Sequence, residues 1–442
     1  MKAGRPRLQR TLGAWTNGHR VGRWSVGSQG SHSLAYERDW VESPQGRPLS
    51  LSLPFTPGGR AQRGARVQSY FEHLLPVAPM ARQRLQALAG SPSSDAFDLL
   101  AALGRDCAGA VQLLPEDAEP GDAQRVDGEP LDERGLGRLF DALAAEPGTA
   151  PAPGVRVPAV ALAGAQAKTA LLWHQGRWCV PLGGTPSTHI VKLPLGAQPG
   201  GAPAFNTSLE NEWLCVRLLA AFGLPLPSMH IETIGAHKAL LVERTDRRWV
   251  DDCWWARLPG EDMAQATGTP PQQAAESAGG PGLARLLELL RGSDEAAQDR
   301  ERLLVAVVLM WMLAVPDVNA RRFRLRLLPA GHFTLAPLAG VMSAWPVLGR
   351  HPAPSSLRRL RLGLSPDGTP VGHDGVTRAL WKQSARRQAL GSGFDAVLGG
   401  LAVWAERAID VVTAELPERF PSSVSGPVFD GLRRSARLLS DA

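Results

Sequence analysis

One uninterrupted apolar run constrains the fold of this 442-residue chain more than any other feature. The run Leu303–Val315 reads LLVAVVLMWMLAV, which contains no charged residue, and it predicts a buried helix. Pro316 and Asp317 follow at once, so the helix delivers a carboxylate to a short loop. An unpaired carboxylate beside a buried helix would be costly. Asp317 is therefore either a turn residue bonded to its own backbone or a candidate catalytic group.

The stretch after this loop alternates in polarity. Arg322, Arg324 and Arg326 are separated by Phe323 and Leu325, and this period of two predicts a half-buried strand with the arginines on its outer face. A Pro-Ala-Gly turn at 329–331 precedes HFTLAPL, which predicts a returning strand. The run, the loop and the hairpin form one unit.

Composition narrows the class of protein. Hydrophobic residues make up 44% and charged residues 20% of the chain, as expected for a globular protein of two or three domains. Lysine and arginine exceed the acids by 48 − 42 = 6, which permits an acidic or nucleic-acid partner without requiring one. The four cysteines show no paired spacing of a zinc or disulfide framework. Residues 1–20 lack an apolar signal core, and the run at 303–315 is shorter than the roughly 20 residues of a membrane span. We therefore expect a cytoplasmic protein.

Four regions follow from the pattern along the chain. Residues 1–115 predict a module of strands and helices, with a strand at 49–54 (LSLSLP) and helices at 67–76 and 95–115, the last capped by Asp95. Residues 116–157 are rich in Pro, Gly and acids and predict a linker. Residues 158–250 predict a β-rich lobe, and residues 251–442 a largely helical one.

The β-rich lobe carries two lysines near a glycine. Residues 158–174 predict two strands joined by a turn at Gly164, whose neighbours Ala163 and Ala165 leave the backbone nearly bare. Bare backbone can bring N–H groups close to phosphate oxygens, although a plain hairpin turn is the commoner explanation. Only five lysines stand in the whole chain, and Lys168 and Lys192 are two of them. Lys192 ends the predicted strand THIVKLP, where it could reach a phosphate as a point charge.

A well-marked helix follows at 207–225. Thr207 and Glu210 have the spacing of a capping box, and Gly223 with Pro225 ends the helix. Glu212 lies on the apolar face, where a carboxylate needs a cation, and Lys192 is the nearest lysine upstream. A strand lysine paired with a helix glutamate is the arrangement that protein kinases use. The strand at 239–247 then leaves through polar residues, where a hinge between lobes could lie.

These motifs together resemble the HipA family, the kinase-fold toxins of bacterial type II toxin–antitoxin modules. The resemblance lies in RPLSLSLP and FEHLLP in the first region, in LAGAQAKTALL, THIVKLP and ENEWLCVRLLAAFGLPLP in the second, and in the Asp317 loop, LAPLAGVMS and ELPERF in the third. It implies an α+β, two-lobed protein-kinase-like fold behind an N-terminal α+β subdomain, with a mainly helical C-terminal lobe. It also implies transfer of the γ-phosphoryl group of ATP, with Mg²⁺, to a serine of a protein such as an aminoacyl-tRNA synthetase. The implied partner is HipB, a helix-turn-helix antitoxin that binds operator DNA, so contact with DNA would be indirect.

The resemblance also assigns roles to residues of this sequence. It implies that Asp317 is the catalytic-loop base that accepts the substrate hydroxyl proton. It further implies an ATP site made of a phosphate-binding loop, a lysine–glutamate pair and an adenine-side hinge: Gly164, Ala165, Gln166 and Lys168; Lys192 and Glu212; and Glu243 and Asp246.

Two departures stand at the metal-binding positions. Arg322 replaces the asparagine that the family places after its catalytic aspartate, and Gly340 replaces the aspartate of the family's P-L-Y-D motif. Mg²⁺ needs oxygen ligands in near-octahedral geometry, and neither side chain supplies an oxygen. We therefore expect a kinase-fold toxin with impaired phosphoryl transfer; the alternative is a non-catalytic pseudokinase that binds an antitoxin or a paralogue. A direct role in nucleic-acid binding rests only on the net charge and the basic LRRLRL at 357–362.

Overall fold

The computed structural model of the protein describes residues 10–197, 205–391 and 393–440. Lys2 and the rest of the first nine residues, on which the expectation about a signal segment partly depends, lie outside this part of the chain. None of the helices within it combines the length and the apolar content needed to cross a membrane.

The strands and helices alternate through the first two-thirds of the chain, and helices dominate the last third. The strands are β1 (Arg10–Thr16), β2 (His19–Val26), β3 (His32–Tyr36), β4 (Gln62–Arg63), β5 (Gln112–Pro115), β6 (Gly128–Pro130), β7 (Lys168–His174), β8 (Arg177–Pro181), β9 (His189–Lys192), β10 (Met229–Ile234), β11 (His237–Glu243), β12 (Arg247–Val250), β13 (Trp254–Arg257), β14 (Gly260–Asp262), β15 (Arg324–Leu327) and β16 (Phe333–Leu335). The helices are α1 (Arg38–Glu42), α2 (Ala65–Glu72), α3 (Pro79–Ala89), α4 (Ala96–Leu103), α5 (Glu133–Ala144), α6 (Ser208–Ala221), α7 (Met263–Ala266), α8 (Leu283–Leu289), α9 (Ala296–Met312), α10 (Trp345–Leu348), α11 (Pro354–Arg359), α12 (Arg378–Arg387), α13 (Phe394–Ala414) and α14 (Ser422–Ser440).

The N-terminal module is an antiparallel sheet covered by helices. Its strand order is β4-β3-β2-β1-β5, and Trp24 stacks on Phe71 of α2 with ring centroids 3.9 Å apart. The segment 49–54 is not the strand that its alternation predicted. Ser50 and Ser52 donate hydrogen bonds to the carbonyl of Gln265, so these polar residues face the C-terminal lobe rather than solvent. The predicted helix at 95–115 ends at Leu103, and Asp95 makes no side-chain cap.

The second sheet carries the β-rich lobe, with strand order β10-β11-β9-β7-β8-β6. The expected linker at 116–157 is partly built into this lobe, because β6 pairs with β8 and α5 packs its apolar face under the sheet. The strand expected before Gly164 does not form; Val160 makes a single bridge to Asp106 instead. The capping box expected at the start of α6 does not form: Thr207 makes no side-chain capping bond, and the Glu210 side chain pairs with Lys238 at 2.5 Å.

The apolar run forms the centre of the C-terminal lobe, as predicted. Within the run, Leu303, Leu304 and every residue from Ala306 to Val315 are buried in the largest core, which α13 and α14 complete. The predicted hairpin is also present: β15 pairs antiparallel with β16, and β14 adds a third strand. The Asp317 loop therefore lies between a buried helix and a small sheet that fixes its two ends.

Candidate functional site

A cleft of about 400 Å³ lies between the β-rich lobe and the C-terminal lobe, a volume typical of ligand sites. The lining comes mainly from the loop before β7, the inner strands β7 and β9, the end of β11 and the segment after it, the loop after α9 with the start of β15, and the segment 337–340 after β16. The N-terminal module and the β14–α7 region add a few residues: His73, Leu74, Ala108, Asp262 and Gln265. Most of the residues that the sequence singled out line this cleft: Gly164, Lys168, Lys192, Glu243, Asp246, Asp317, Arg322 and Gly340.

The predicted lysine–glutamate pair forms. Lys192 Nζ lies 2.5 Å from Glu212 Oε1, and both side chains are largely shielded from water, with 16% and 3% of their surfaces exposed. Lys192 projects from the last position of β9, and Glu212 projects from the first turns of α6. One residue earlier on α6, the Asn211 side chain exchanges two hydrogen bonds with the backbone of Ser343. Helix α6 thereby fixes both the strand lysine and the segment that follows Gly340.

Lys168 lies beside this pair but outside it. Lys168 and Lys192 are directly opposite each other on the antiparallel strands β7 and β9, so their side chains share one face of the sheet. Burial and the neighbouring Lys192 ammonium lower the pKa of Lys168 to about 7. The Glu212 carboxylate lies near both lysines but pairs with Lys192. An anion bound in the cleft would relieve this excess of positive charge.

The residues of the loop before β7 border two different cavities. Gly164 has a φ of +94° and faces the cleft, and a Cβ there would lie 2.5 Å from Lys168 Nζ. Ala165 and Gln166 instead line a separate cavity behind the loop, where the Gln166 amide donates to the Leu193 carbonyl at 2.8 Å. Of the predicted phosphate-binding loop, Gly164 and Lys168 face the cleft, and Gln166 anchors the loop to the end of β9.

The two hinge carboxylates differ in their surroundings. Glu243 ends β11, is exposed and borders the cleft. Asp246 accepts hydrogen bonds from Arg244 and from the backbone N–H of Gly109 at 2.7 Å. Although burial by itself would raise the pKa of Asp246, Arg244 and Arg247 outweigh it and hold the pKa well below its usual range. Asp246 therefore links the hinge to the N-terminal module through its hydrogen bond with Gly109.

The same network continues into the N-terminal module through Asp106. Its carboxylate accepts from Arg247 Nη2 at 2.6 Å and from the Ser187 hydroxyl at 2.5 Å. Burial alone would raise the pKa of Asp106, yet Arg247 and Arg244 prevail and lower it to about 2. Buried ion pairs between Asp106 and the two arginines Arg244 and Arg247 therefore fix the hinge to the N-terminal module.

Asp317 is exposed at the mouth of the cleft, and its carboxylate bonds to a neighbouring side chain rather than to its own backbone. Its Oδ2 accepts a hydrogen bond from Arg322 Nη2, and Arg322 Nη1 donates to the Gly340 carbonyl at 2.9 Å. Arg322 lies in a 3₁₀ turn at Ala320–Arg322 rather than in β15. Arg322, at one of the two positions where the resemblance implies metal ligands, therefore binds the backbone of the other position and the Asp317 carboxylate.

The donor set around Asp317 does not fit Mg²⁺. Arg322 offers only N–H donors, and Gly340 offers only its backbone carbonyl, which already accepts from Arg322. Within residues 10–197, 205–391 and 393–440, no group of three or more His, Cys, Asp or Glu side chains is arranged to hold a metal. A Cβ at position 340 would overlap the Glu212 carboxylate, so an aspartate could stand there only if Glu212 moved away from Lys192.

Sequence reasoning missed several cationic groups of the cleft. Arg324 does not face outward on β15 as its alternation suggested; it lines the cleft, and the next arginine on that face, Arg326, reaches the Thr245 carbonyl at the hinge. Arg321 donates to the carbonyls of His73 and Leu75 and so connects the Asp317 loop to the N-terminal module. The alternation of arginines and apolar residues showed that Arg324 and Arg326 share one face of β15. It could not show whether that face meets solvent or the other lobe.

Comparison with known proteins assigns the family. The sequence profile of the HipA N-terminal domain matches residues 12–114, and that of the HipA-like C-terminal domain matches residues 160–402, more than half of the chain. This protein belongs to the HipA family. Protein Y4mE of Sinorhizobium fredii, named as a candidate kinase, is 36% identical over 338 residues, which cover 76% of this chain and 77% of that protein.

Two further comparisons support this assignment. The serine/threonine-protein kinase toxin HipA of Shewanella oneidensis is 26% identical over 231 residues, covering 52% of this chain and 46% of that protein. The solved complex of Shewanella oneidensis HipA with HipB and operator DNA matches with a TM-score of 0.76 and 20% identity over 97% of each chain. The fold is therefore the two-lobed, kinase-like α+β fold of HipA, as the sequence predicted.

Replacing Gly340 should test whether the bare backbone there protects the Lys192–Glu212 pair. In Gly340→Ala the added methyl group pushes the Glu212 carboxylate away from Lys192, and we expect a loss of about 1–3 kcal/mol in the free energy of unfolding, as for an overpacked core. Urea denaturation measures it. The matched control is Gly137→Ala in α5, where a Cβ meets open space and removal of a helix glycine should add up to about 1 kcal/mol. Equal stability of Gly340→Ala and the native protein would contradict this account.

Proposed function

We propose that this HipA-family protein binds ATP in its cleft through side-chain cations rather than through Mg²⁺, and that its phosphoryl-transfer activity is impaired. The single observation that carries the proposal is the position of Arg322. Its guanidinium bonds to both Asp317 and the Gly340 carbonyl, where a metal-dependent kinase needs oxygen ligands. Protein kinases rely on metal ions to hold the β- and γ-phosphates and to neutralise the charge that develops during transfer.

The cleft suits a polyphosphate ligand at the end where the lysines lie. Lys168 and Lys192 project from adjacent strands, and Gly164 leaves the loop above them without a side chain. Lysine ammonium groups bind phosphates as point charges, and a bare loop lets the backbone approach closely. The segment from Glu243 to Asp246, fixed from behind by Arg244, would face the base and ribose.

Asp317 remains in place for a role as base, but its surroundings disfavour that role. Its Oδ2 is already occupied by Arg322, so a substrate hydroxyl would have to compete with a guanidinium for that oxygen. Removing Arg322 from Asp317 would also remove its bond to the Gly340 carbonyl. One guanidinium cannot both neutralise a transferred phosphoryl group and position it as a metal does. These points favour a nucleotide-binding protein over an efficient kinase.

We further propose that a HipB-like helix-turn-helix antitoxin is the partner and that any contact with operator DNA is made through it. The support is the likeness of the whole fold to the HipA chain that was solved with HipB and operator DNA. Co-expression of this chain with a helix-turn-helix protein from the same operon should give a complex that survives size-exclusion chromatography. Separate elution of the two proteins at micromolar concentration would count against the pairing.

Phosphoryl transfer can be measured directly with [γ-³²P]ATP. We expect labelling of the protein itself and of a panel of aminoacyl-tRNA synthetases to stay at the level of Asp317→Asn, with either Mg²⁺ or Mn²⁺ present, because the expected oxygen ligands are missing. An active HipA-family kinase serves as the positive control. Metal-dependent labelling that disappears in Asp317→Asn would overturn the impairment and restore a protein serine as the substrate.

A further inference from the structure

The structure describes four of the five lysines of this chain, and three of these four form ion pairs with carboxylates. Lys192 pairs with Glu212, Lys238 pairs with Glu210 at 2.5 Å, and Lys382 pairs with Asp395 at 3.0 Å. Lys168 has no carboxylate within 4 Å among the described residues, although it lies in a cleft between two lobes. Its amine is thus the one described lysine nitrogen that is free of an ion pair.

The charges around Lys168 favour its neutral form. The groups that face it are Lys192 on β9, Glu212 on α6, and Arg321 and Arg322 on the loop after α9. Three of these four are cations, and Glu212 is already engaged by Lys192. Burial together with Lys192 lowers the pKa of Lys168 to about 7, so much of the amine is unprotonated near neutral pH. A desolvated lysine next to another cation is the arrangement that activates amine nucleophiles in enzymes.

The same cleft offers a place for a phosphate next to this amine. Lys192 and Arg322 line the cleft together with Lys168. Gly164, which has no Cβ, lets its backbone lie directly against the Lys168 nitrogen. A reagent that carries a phosphate would be drawn to the cations, which would bring its other end close to the Lys168 amine. A reagent without a phosphate would not gain this advantage.

We propose that Lys168 is a site of acylation by acyl phosphates, the mixed anhydrides of a carboxylic acid and phosphoric acid. The amine lone pair attacks the acyl carbon, a C–N bond forms and the C–O bond to phosphate breaks. Inorganic phosphate leaves with the bonding electrons, and the amine proton passes to water or to the departing phosphate. The product is an N-acyl lysine, and no oxidant or further co-reactant is needed.

Acylation would alter the proposed nucleotide site, and this consequence rests on the proposed function. The amide carries no charge, so one of the two cross-strand lysines would cease to attract phosphate. The acyl group would also occupy part of the cleft that Gly164 and Lys168 line. An acylated protein should therefore bind ATP more weakly than the free protein.

Acetyl phosphate is the probe for this inference, with peptide mass spectrometry of the full-length protein as the readout. At pH 8 an amine of pKa 7 is about 90% neutral, against about 0.4% for an ordinary lysine, and its lower intrinsic reactivity offsets part of this gain. We expect Lys168 to be acetylated about 10-fold faster than Lys382, with a rate that levels off above a midpoint near pH 7. Inorganic phosphate and ATP should slow the reaction at Lys168 and leave Lys382 unchanged.

Controls separate the reactivity of the amine from the docking of phosphate. The N-hydroxysuccinimide ester of acetic acid, which has no phosphate, should also prefer Lys168 but should not respond to inorganic phosphate. Arg322→Ala should slow acetylation by acetyl phosphate more than acetylation by the ester. Lys382→Arg, a matched lysine replacement in a half-buried ion pair outside the cleft, should leave labelling of Lys168 unchanged.

Two outcomes would overturn the inference. Labelling of Lys168 no faster than that of Lys382 would show that the amine is not activated. Fast labelling by the ester but not by acetyl phosphate would exclude the phosphate-directed reaction. ATP binding to the same protein samples, measured by thermal shift, distinguishes the two claims. If ATP binds and Lys168 is not selectively labelled, the inference fails and the proposed function stands; if ATP does not bind, the proposed function fails whatever the labelling.

Discussion

The ion pair between Lys192 and Glu212 determines most of what is unusual about this site. It lies between a sheet and a helix with little access to water, so removing either partner would leave an uncompensated charge. Because Glu212 reaches toward position 340, a side chain at that position would require the Glu212 carboxylate to shift. Because Glu212 pairs with Lys192, Lys168 on the facing strand β7 has no carboxylate partner among the described residues. Glu212 is thus the residue that lies next to both features, the glycine at 340 and the unpaired Lys168.

Arg322 stands at the second of the two positions where the resemblance implies metal ligands, and a guanidinium there would replace only the electrostatic part of a metal's role. A guanidinium can hold a carboxylate and a carbonyl together, as it does with Asp317 and Gly340. It cannot accept electron pairs from phosphate oxygens as a metal ion does, so it would supply positive charge and hydrogen bonds to a phosphate without the octahedral ligand geometry of Mg²⁺. The buried arginines and aspartates behind the hinge add rigidity at the far end of the cleft, since Asp106 and Asp246 bind Arg244 and Arg247 across the boundary with the N-terminal module.

The sequence was most informative where chemistry and local pattern coincide. A buried glutamate on a helix and a lysine at the end of an inner strand could be paired from the sequence because each needs the other. The sequence was least informative where tertiary contacts overrule local rules. Glu210 has the spacing of a capping residue, yet Lys238 on a strand attracts it. The alternation at 49–54 predicted a strand, yet its serines dock on the C-terminal lobe, and Glu261 accepts the Leu51 N–H at 2.8 Å. No local pattern shows which face of β15 meets the cleft, so Arg324 was placed on the wrong side.

The metal dependence of ATP affinity tests the central claim most directly. Calorimetric titration of ATP into the native protein, once with a chelator and once with excess Mg²⁺, should give dissociation constants that agree within about 2-fold, because side-chain cations hold the phosphates. The same titrations with Arg322→Asn, which restores one side-chain oxygen, should show weaker binding in the chelator and a gain on adding Mg²⁺. A native protein whose affinity falls about 10-fold or more in the chelator would contradict the account, since a metal would then be holding the nucleotide.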